Sequence, residues 1–177
     1  LIQAFAQDLD VHAATAASLF AVPISDVNAE QRRQAKAVNF GLMYGMSAHG
    51  LMRQLHIGRN EARQIIEQYF VRYPAVLVFM EATRQRAIER HYVTTLLGRR
   101  IYLPGLRAGY QQQQAALRAA INGPLQGTAA DLIKLAMLEI DRALAELDLD
   151  CQLLMQVHDE LVFEIKDAHL QKAIPLI

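Results

Sequence analysis

Helix start and stop signals recur through the first 90 residues and set the fold class of this chain more firmly than any other pattern in it. Residues 12–21 are alanine-rich and periodic, and Pro23 stops the helix that they predict. Asn28 predicts the N-cap of a long helix through Tyr44, with Gln31 in the capping-box position. Further predicted helices are 47–55 capped by Ser47, 61–73 capped by Asn60, and one from Pro74 to about Arg90.

Apolar and polar residues alternate with a period of two, which is typical of β-strands, in two parts of the sequence. Residues 92–96 and 100–103 flank a short turn and predict a β-hairpin. Near the end of the chain, residues 152–157 and 161–165 are two more β-like runs, separated only by 158–160.

Between these hairpins, residues 111–121 read as a helix that is interrupted at Gly123 and Pro124. Thr128 and Asp131 then have the spacing of a capping box, which predicts a second helix to about Leu147. Because helices dominate and strands come late, we predict the α+β class with two subdomains.

Composition excludes several classes of protein. The chain of 177 residues is 53% hydrophobic and 20% charged, which excludes disorder as its main state. No run approaches the roughly 18 apolar residues of a membrane span. The single cysteine, Cys151, rules out a disulfide framework and a CxxC zinc site. Since the sequence opens on Leu1 and stops in mid-pattern, we expect a piece of a longer cytosolic protein.

The net charge of zero conceals three parts of different sign. Residues 1–30 carry −4, residues 31–118 carry fourteen basic and four acidic side chains, and residues 119–177 carry −6. A basic middle of +10, rich in arginine, suggests a surface for nucleic acid or phosphate. The alternative is a set of solvated helix faces.

Four residues recur at intervals of four in the helix 28–44: Arg32, Lys36, Phe40 and Tyr44. This spacing places them in one row, with two cations followed by two aromatic rings. Cations bind phosphates and rings stack on bases, so the row suits a nucleotide. The alternative is that the rings are core residues and the cations are solvated.

A second polar group, His158-Asp159-Glu160, interrupts the two apolar strand runs. Carboxylates at this position are candidate ligands of Mg²⁺, and the alternative is an ordinary polar turn.

A third group, Arg118, Asn122 and Gln126, also has a spacing of four. Arginine and amide side chains reach base edges and sugars, whereas the alternative is helix-surface polarity.

Together these segments resemble the family A DNA polymerases, the bacterial DNA polymerase I family. Residues 32–45 are similar to the fingers-helix motif R-x₃-K-x₃-F-x₃-Y-G, and residues 156–160 are similar to the palm metal motif. Residues 118–131, residues 98–104 and the Asp10-Val-His12 segment also resemble the family, in the family's order.

The resemblance implies a role for each matching residue near the nucleotide. Arg32 and Lys36 bind the incoming triphosphate, and His12 lies beside it. Phe40 packs on the nucleotide, and Tyr44 borders the site where the templating base pairs. The residues with implied DNA contacts are Arg118, Asn122, Gln126 and His158. The implied catalytic residues are Asp159 as a metal ligand, Glu160 in support, and Lys36.

The resemblance also implies a fold and an activity. The α+β fold would comprise a mostly helical fingers subdomain over 1–117 and an incomplete palm over 118–177, with the metal motif on an antiparallel hairpin. The parent protein would be a DNA polymerase of replication or repair in the bacterial cytosol, a monomer with no membrane association. It would transfer a deoxynucleotide from dNTP to the 3′-hydroxyl of primer–template DNA with two Mg²⁺ ions.

The first catalytic aspartate of the family belongs upstream of Leu1, and with it the second protein ligand of the metals. We therefore expect the isolated piece to be inactive. The alternative function is that of a non-catalytic DNA-binding relative.

Overall fold

The computed structural model describes residues 2–147 and 149–177, in which helices predominate and two pairs of strands occur. This architecture confirms the predicted α+β class. The helices are α1 Ile2–Ala6, α2 Val11–Phe20, α3 Ala29–Met43, α4 Ala48–Leu55, α5 Arg59–Arg72, α6 Pro74–Arg90, α7 Tyr110–Glu146 and α8 Leu170–Ala173. The strands are β1 Tyr92–Thr94, β2 Arg100–Tyr102, β3 Cys151–Val157 and β4 Glu160–Ile165, and they pair as antiparallel hairpins, β1 with β2 and β3 with β4.

The chain divides into two compact units. The first runs to Thr94 and includes Arg100–Pro124, and the second comprises Thr95–Arg99 and Leu125–Ile177. The division into 1–117 and 118–177 that the resemblance implies stays a prediction, and its ranges include Leu1 and Asp148, which lie outside the described residues.

Each unit has apolar cores of its own. In the first unit, Val38 and Leu42 of α3 pack with Leu51 and Tyr69, each at most 1% exposed. In the second, Ile140 and Leu144 of α7 pack with Ala173 and with the inward face of β4. Among the described residues, no helix is both long and apolar enough to cross a lipid bilayer.

The helix α3 begins and ends where its sequence predicts. Asn28 accepts a hydrogen bond from the Gln31 N–H at 2.8 Å, and the Gln31 side chain accepts from the Asn28 N–H at 3.0 Å. At the other end Gly45 has a φ of 78°, a left-handed conformation that glycine adopts without steric cost. The Met46 N–H donates to the Gly41 carbonyl at 2.8 Å, which completes a Schellman motif.

Asn28→Ala is expected to lower the free energy of unfolding of this chain by about 1 kcal/mol, because the N-cap bond and its reciprocal partner are lost. Urea unfolding measures the change. The control is Asn60→Ala, because Asn60 lies inside α5, whose N-cap is Gly58; the prediction that Asn60 caps this helix is wrong. An equal loss in both variants would contradict the capping role of Asn28.

The predicted break at Gly123 and Pro124 is also wrong, since α7 runs through both residues without ending. Thr128 caps no helix; its hydroxyl accepts a hydrogen bond from the Leu96 N–H at 2.9 Å. Asp131 is 5% exposed and forms an ion pair with Arg99. The residues that resembled a capping box therefore hold the tip of the first hairpin.

The second hairpin has a tighter turn than its sequence suggests. Glu160 is the first residue of β4 and pairs with Val157, so the turn consists of His158 and Asp159. The pairing register shifts between Leu153 and Met155, which marks a bulge in β3.

Candidate functional site

The predicted row on α3 lies on the exposed face of the helix. Arg32, Lys36 and Phe40 are exposed, and Phe40 retains 40% of its accessible surface. The Lys36 Nζ lies 6.0 Å from the centroid of the Phe40 ring, and the Tyr44 ring lies 6.2 Å from it. Since the opposite face of α3 supplies the core, Phe40 is not the core residue of the alternative interpretation.

His12 joins this row from the start of α2. Its ring lies 5.6 Å from the ring of Phe40 at an interplanar angle of 44°. Asp10, the N-cap of α2, accepts from the His12 N–H at 2.9 Å and holds the Arg32 Nε at 2.6 Å. We call the face formed by His12, Arg32, Lys36, Phe40 and Tyr44 the nucleotide face, after the ligand that its cations and rings predict.

The charges of the nucleotide face change the pKa values of two groups. The hydrogen bond from Arg32, helped by the Ala13 N–H, holds the pKa of Asp10 below its usual range. The Asp10–Arg32 pair therefore persists into mild acid and is lost only as pH falls through that lowered value. Burial lowers the pKa of His12, and the nearby cations of Arg32 and Lys36 lower it further against the opposing effect of Asp10. The His12 ring is therefore neutral at neutral pH.

An open cavity of about 510 Å³ borders the aromatic end of the nucleotide face. Phe40, Tyr44, Ser47 and Arg118 contribute to its walls. Its volume lies within the range of about 300–1,000 Å³ that is typical of small-ligand sites. Gly41 lines it too, and a Cβ there would meet the end of the Met46 side chain at 2.9 Å, so that side chain would have to move to make room.

The third predicted group lies on α7, but its members fall in different units. Arg118 and Asn122 belong to the first unit, and Gln126 belongs to the second. Within the described residues, the buried Asn122 Oδ1 has no hydrogen-bond partner. Of these three residues, Arg118 lines the cavity together with Tyr44, so it lies beside the nucleotide face.

The predicted metal group occupies the turn between β3 and β4. His158 has a φ of 56°, a conformation that few residues other than glycine adopt, and its carbonyl accepts from the Gln156 Nε2 at 2.8 Å. The side chains of Asp159 and Glu160 are both exposed. Over residues 2–147 and 149–177, no group of three or more histidine, cysteine or acidic residues is gathered for a metal. One or two exposed carboxylates nevertheless fit Mg²⁺, which usually takes its other ligands from water and phosphates.

Two residues near the nucleotide face were not assigned a role from the sequence. Asp10 holds Arg32, and its position just before an alanine-rich helix is an N-cap signal that would have found it. Asn39 is 2% exposed and contacts His12, and no local pattern identifies that contact because the two residues lie 27 positions apart.

The chain is similar over its whole length to known proteins. The family model described as DNA polymerase family A matches residues 1–177. The DNA polymerase I of Pseudomonas aeruginosa is 54% identical over 94% of this chain, and that of Geobacillus stearothermophilus is 46% identical over 100% of it. The chain spans 18% and 20% of the lengths of these two relatives. A solved structure, described as the POL domain of Pol1 from M. smegmatis in complex with DNA primer-template and dNTP, matches with a TM-score of 0.93 and 44% identity, over 99% of this chain and 31% of that one.

Proposed function

The chain belongs to DNA polymerase family A, and from that premise we propose that its parent protein synthesises DNA on a template. The reaction is attack of a primer 3′-hydroxyl on the α-phosphate of a dNTP, with pyrophosphate as the leaving group. The solved relative was described in complex with primer-template DNA and dNTP, which supports these two partners. We place the parent protein in the bacterial cytosol as a monomer active in replication or in repair.

The observation that carries this proposal is the nucleotide face. It presents exposed cations at one end and exposed or half-buried rings at the other, beside an open cavity. A dNTP has the same order of chemistry, with a polyphosphate at one end and a flat base at the other.

At the cationic end, Lys36 and Arg32 bind the β- and γ-phosphates and offset the charge that develops on the leaving pyrophosphate. Among the described residues Lys36 forms no ion pair, whereas Arg32 is held by Asp10. His12 donates a hydrogen bond to the same polyphosphate. At the aromatic end, Phe40 packs on the nucleotide and Tyr44 borders the site where the templating base pairs.

The primer–template is bound by Arg118, Asn122 and Gln126, with His158 near the primer terminus. The side chain of Arg118 lies beside the cavity, and the carbonyl oxygen of Asn122 lacks a partner among the described residues, which supports a ligand contact at both. Amide and guanidinium groups at a groove contact base edges and sugars.

Asp159 is the metal ligand that this chain contributes, and Glu160 supports it from the first position of β4. When bound there, Mg²⁺ supplies Lewis-acid stabilisation of the attacking and leaving oxygens. His158 has a left-handed backbone at the first position of the two-residue turn, as tight hairpin turns require, and Asp159 follows it in the exposed turn.

Primer extension by the full-length parent protein tests the function. With primer–template DNA, four dNTPs and Mg²⁺, we expect extension that follows the template sequence. Tight DNA binding without any extension would support the alternative, a non-catalytic DNA-binding relative. Absence of both activities would contradict the proposal altogether.

The isolated 177-residue chain is expected to give no measurable extension under the same conditions, because one carboxylate-bearing turn holds only part of a two-metal site. Three apolar side chains of β3 support the need for further elements of the parent, since Leu154 is 52%, Met155 56% and Val157 41% exposed. The parent protein at equal concentration is the control. Mg²⁺-dependent extension by the isolated chain would contradict this prediction.

A further inference from the structure

A buried chain of hydrogen bonds runs from α5 to the nucleotide face. The Tyr73 hydroxyl lies 3.1 Å from the Thr15 Oγ1, and the Thr15 hydroxyl donates to the Asn39 Oδ1 at 3.1 Å. The Asn39 Nδ2 lies 3.0 Å from the His12 Nδ1, where the chain ends. Thr15 and Asn39 are each 2% exposed, so these polar groups exchange no bonds with water.

The donor and acceptor roles along this series of hydrogen bonds determine which ring nitrogen of His12 carries the proton. The single hydrogen of the Thr15 hydroxyl is shared between the Val11 carbonyl at 2.8 Å and the Asn39 Oδ1 at 3.1 Å, so the Tyr73 hydroxyl must donate to Thr15. With its oxygen towards Thr15, the Asn39 amide presents its Nδ2 to the His12 Nδ1, and an amide nitrogen can only donate. A neutral imidazole has one donor and one acceptor nitrogen. Since Nδ1 is the acceptor here, the proton lies on Nε2.

The consequence concerns the ligand that His12 meets. Nε2 is the ring nitrogen that the buried chain leaves for a ligand, and His12 shares its surface with Arg32 and Lys36 through Asp10 and Phe40. A protonated Nε2 attracts phosphate oxygens, whereas a lone pair in that place would repel them.

We propose that Asn39 is a positioning residue, which holds His12 as the neutral Nε2–H tautomer so that the ring donates a hydrogen bond to the polyphosphate of the nucleotide. The inference rests on the proposed function for the identity of the ligand. Asn39 itself lies on the buried face of α3, so it acts through His12 and not on the substrate.

Asn39→Asp reverses the bond while keeping the shape of the side chain. The carboxylate has no donor, so the His12 Nδ1 must carry a proton and donate it to the new residue. At high pH the ring is then neutral and presents a bare Nε2, whereas at low pH it is doubly protonated and presents an Nε2–H again. The other charged groups that face His12 are Asp10, Arg32 and Lys36, and they are the same in both proteins.

The experiment measures the dissociation constant of dATP for the full-length parent protein by calorimetry between pH 6 and pH 9.5. At each pH the dissociation constant of the variant is divided by that of the unchanged protein. This ratio removes the pH dependence that comes from protonation of the triphosphate itself. For Asn39→Asp we expect this ratio to rise with pH, from near one at pH 6 to about tenfold at pH 9.5, as for loss of a charge-assisted hydrogen bond. The control is Thr83→Val, which alters another threonine that is 2% exposed but takes no part in the hydrogen bonds between Tyr73 and His12. Its ratio of dissociation constants is expected to stay near one at every pH.

A second pair of variants carries the test if Asn39→Asp fails to fold, which circular dichroism shows. His12→Gln places an amide N–H where Nε2 lies, and His12→Asn places one where Nδ1 lies. We expect His12→Gln to bind dATP about tenfold more tightly than His12→Asn. Equal affinities, tighter binding by His12→Asn, or a pH-independent ratio for Asn39→Asp would overturn the proposal.

Primer extension by the unchanged protein separates the two proposals. Extension together with a flat Asn39→Asp ratio refutes the tautomer and leaves the polymerase function standing. A rising ratio without any extension supports the tautomer and refutes the polymerase function. No binding of dATP by the unchanged protein refutes both.

Discussion

Asp159→Ala in the full-length parent protein is expected to lower the rate of primer extension by at least about 10³-fold. We propose Asp159 as the carboxylate with which this chain contributes to a metal site, and loss of several kcal/mol of charge stabilisation corresponds to a factor of this size. Affinity for primer–template DNA should stay within about twofold, because the arginine and amide side chains that we propose to bind it are elsewhere on the chain. Single-turnover extension and a DNA-binding titration measure the two quantities.

Glu164→Ala is the matched control, since Glu164 is an exposed carboxylate on β4, the strand that follows the turn containing Asp159. We expect it to change extension by less than about threefold, as for most surface substitutions. If Asp159→Ala weakened DNA binding and extension equally, Asp159 would have a structural role instead. If the control matched the loss of extension, the charge of the hairpin would matter and not the metal ligand.

Lys36→Ala is the second substitution with a large expected effect. Removing one preorganised charge from a developing oxyanion costs about 10²–10³-fold in rate, and we expect a loss of that size in kcat/KM for dNTP. The kcat/KM of Lys36→Arg should lie between the values of Lys36→Ala and of the unchanged protein, because arginine keeps the charge but changes its geometry. DNA affinity should be unchanged. Steady-state extension at varied dNTP concentration measures the effect.

Lys172→Ala removes an exposed lysine of α8 and serves as the control for lost positive charge. It should leave kcat/KM for dNTP within about twofold. A Lys36→Ala protein whose only defect was weaker DNA binding would contradict the assignment of Lys36 to the triphosphate.

Much of α3 could be predicted from the sequence because its determinants are local. Asn28 and Gln31 satisfy each other's backbone N–H groups across one turn, and Gly45 ends the helix through its own φ. The spacing of Arg32, Lys36 and Phe40 likewise places them on one face wherever the helix lies. The structure places Arg32, Lys36 and Phe40 on the exposed face and leaves Tyr44 half-buried, and the roles of these residues stay proposals.

The same local signals misled where a distant segment supplied the partner. Thr128 and Asp131 have the spacing of a capping box, but their partners are Leu96 and Arg99 in the first hairpin. Pro124 has no N–H to donate, yet α7 continues through it. Tertiary contacts outweigh local propensity here, and no window of neighbouring residues contains those contacts.

The sequence by itself determined the α+β class, the limits of most helices, the row on α3 and the exposed carboxylates of the second hairpin, because each depends on residues within a few positions of one another. Only the tertiary structure brought His12 to Phe40 and Asp10 to Arg32. It also brought Asn39 to His12 and to Thr15, and Thr15 to Tyr73. These contacts join α2, α3 and the end of α5 across 22 to 58 positions. The contacts among Asn39, Thr15 and Tyr73 form because polar groups on the packed faces of three helices must satisfy one another where water is excluded.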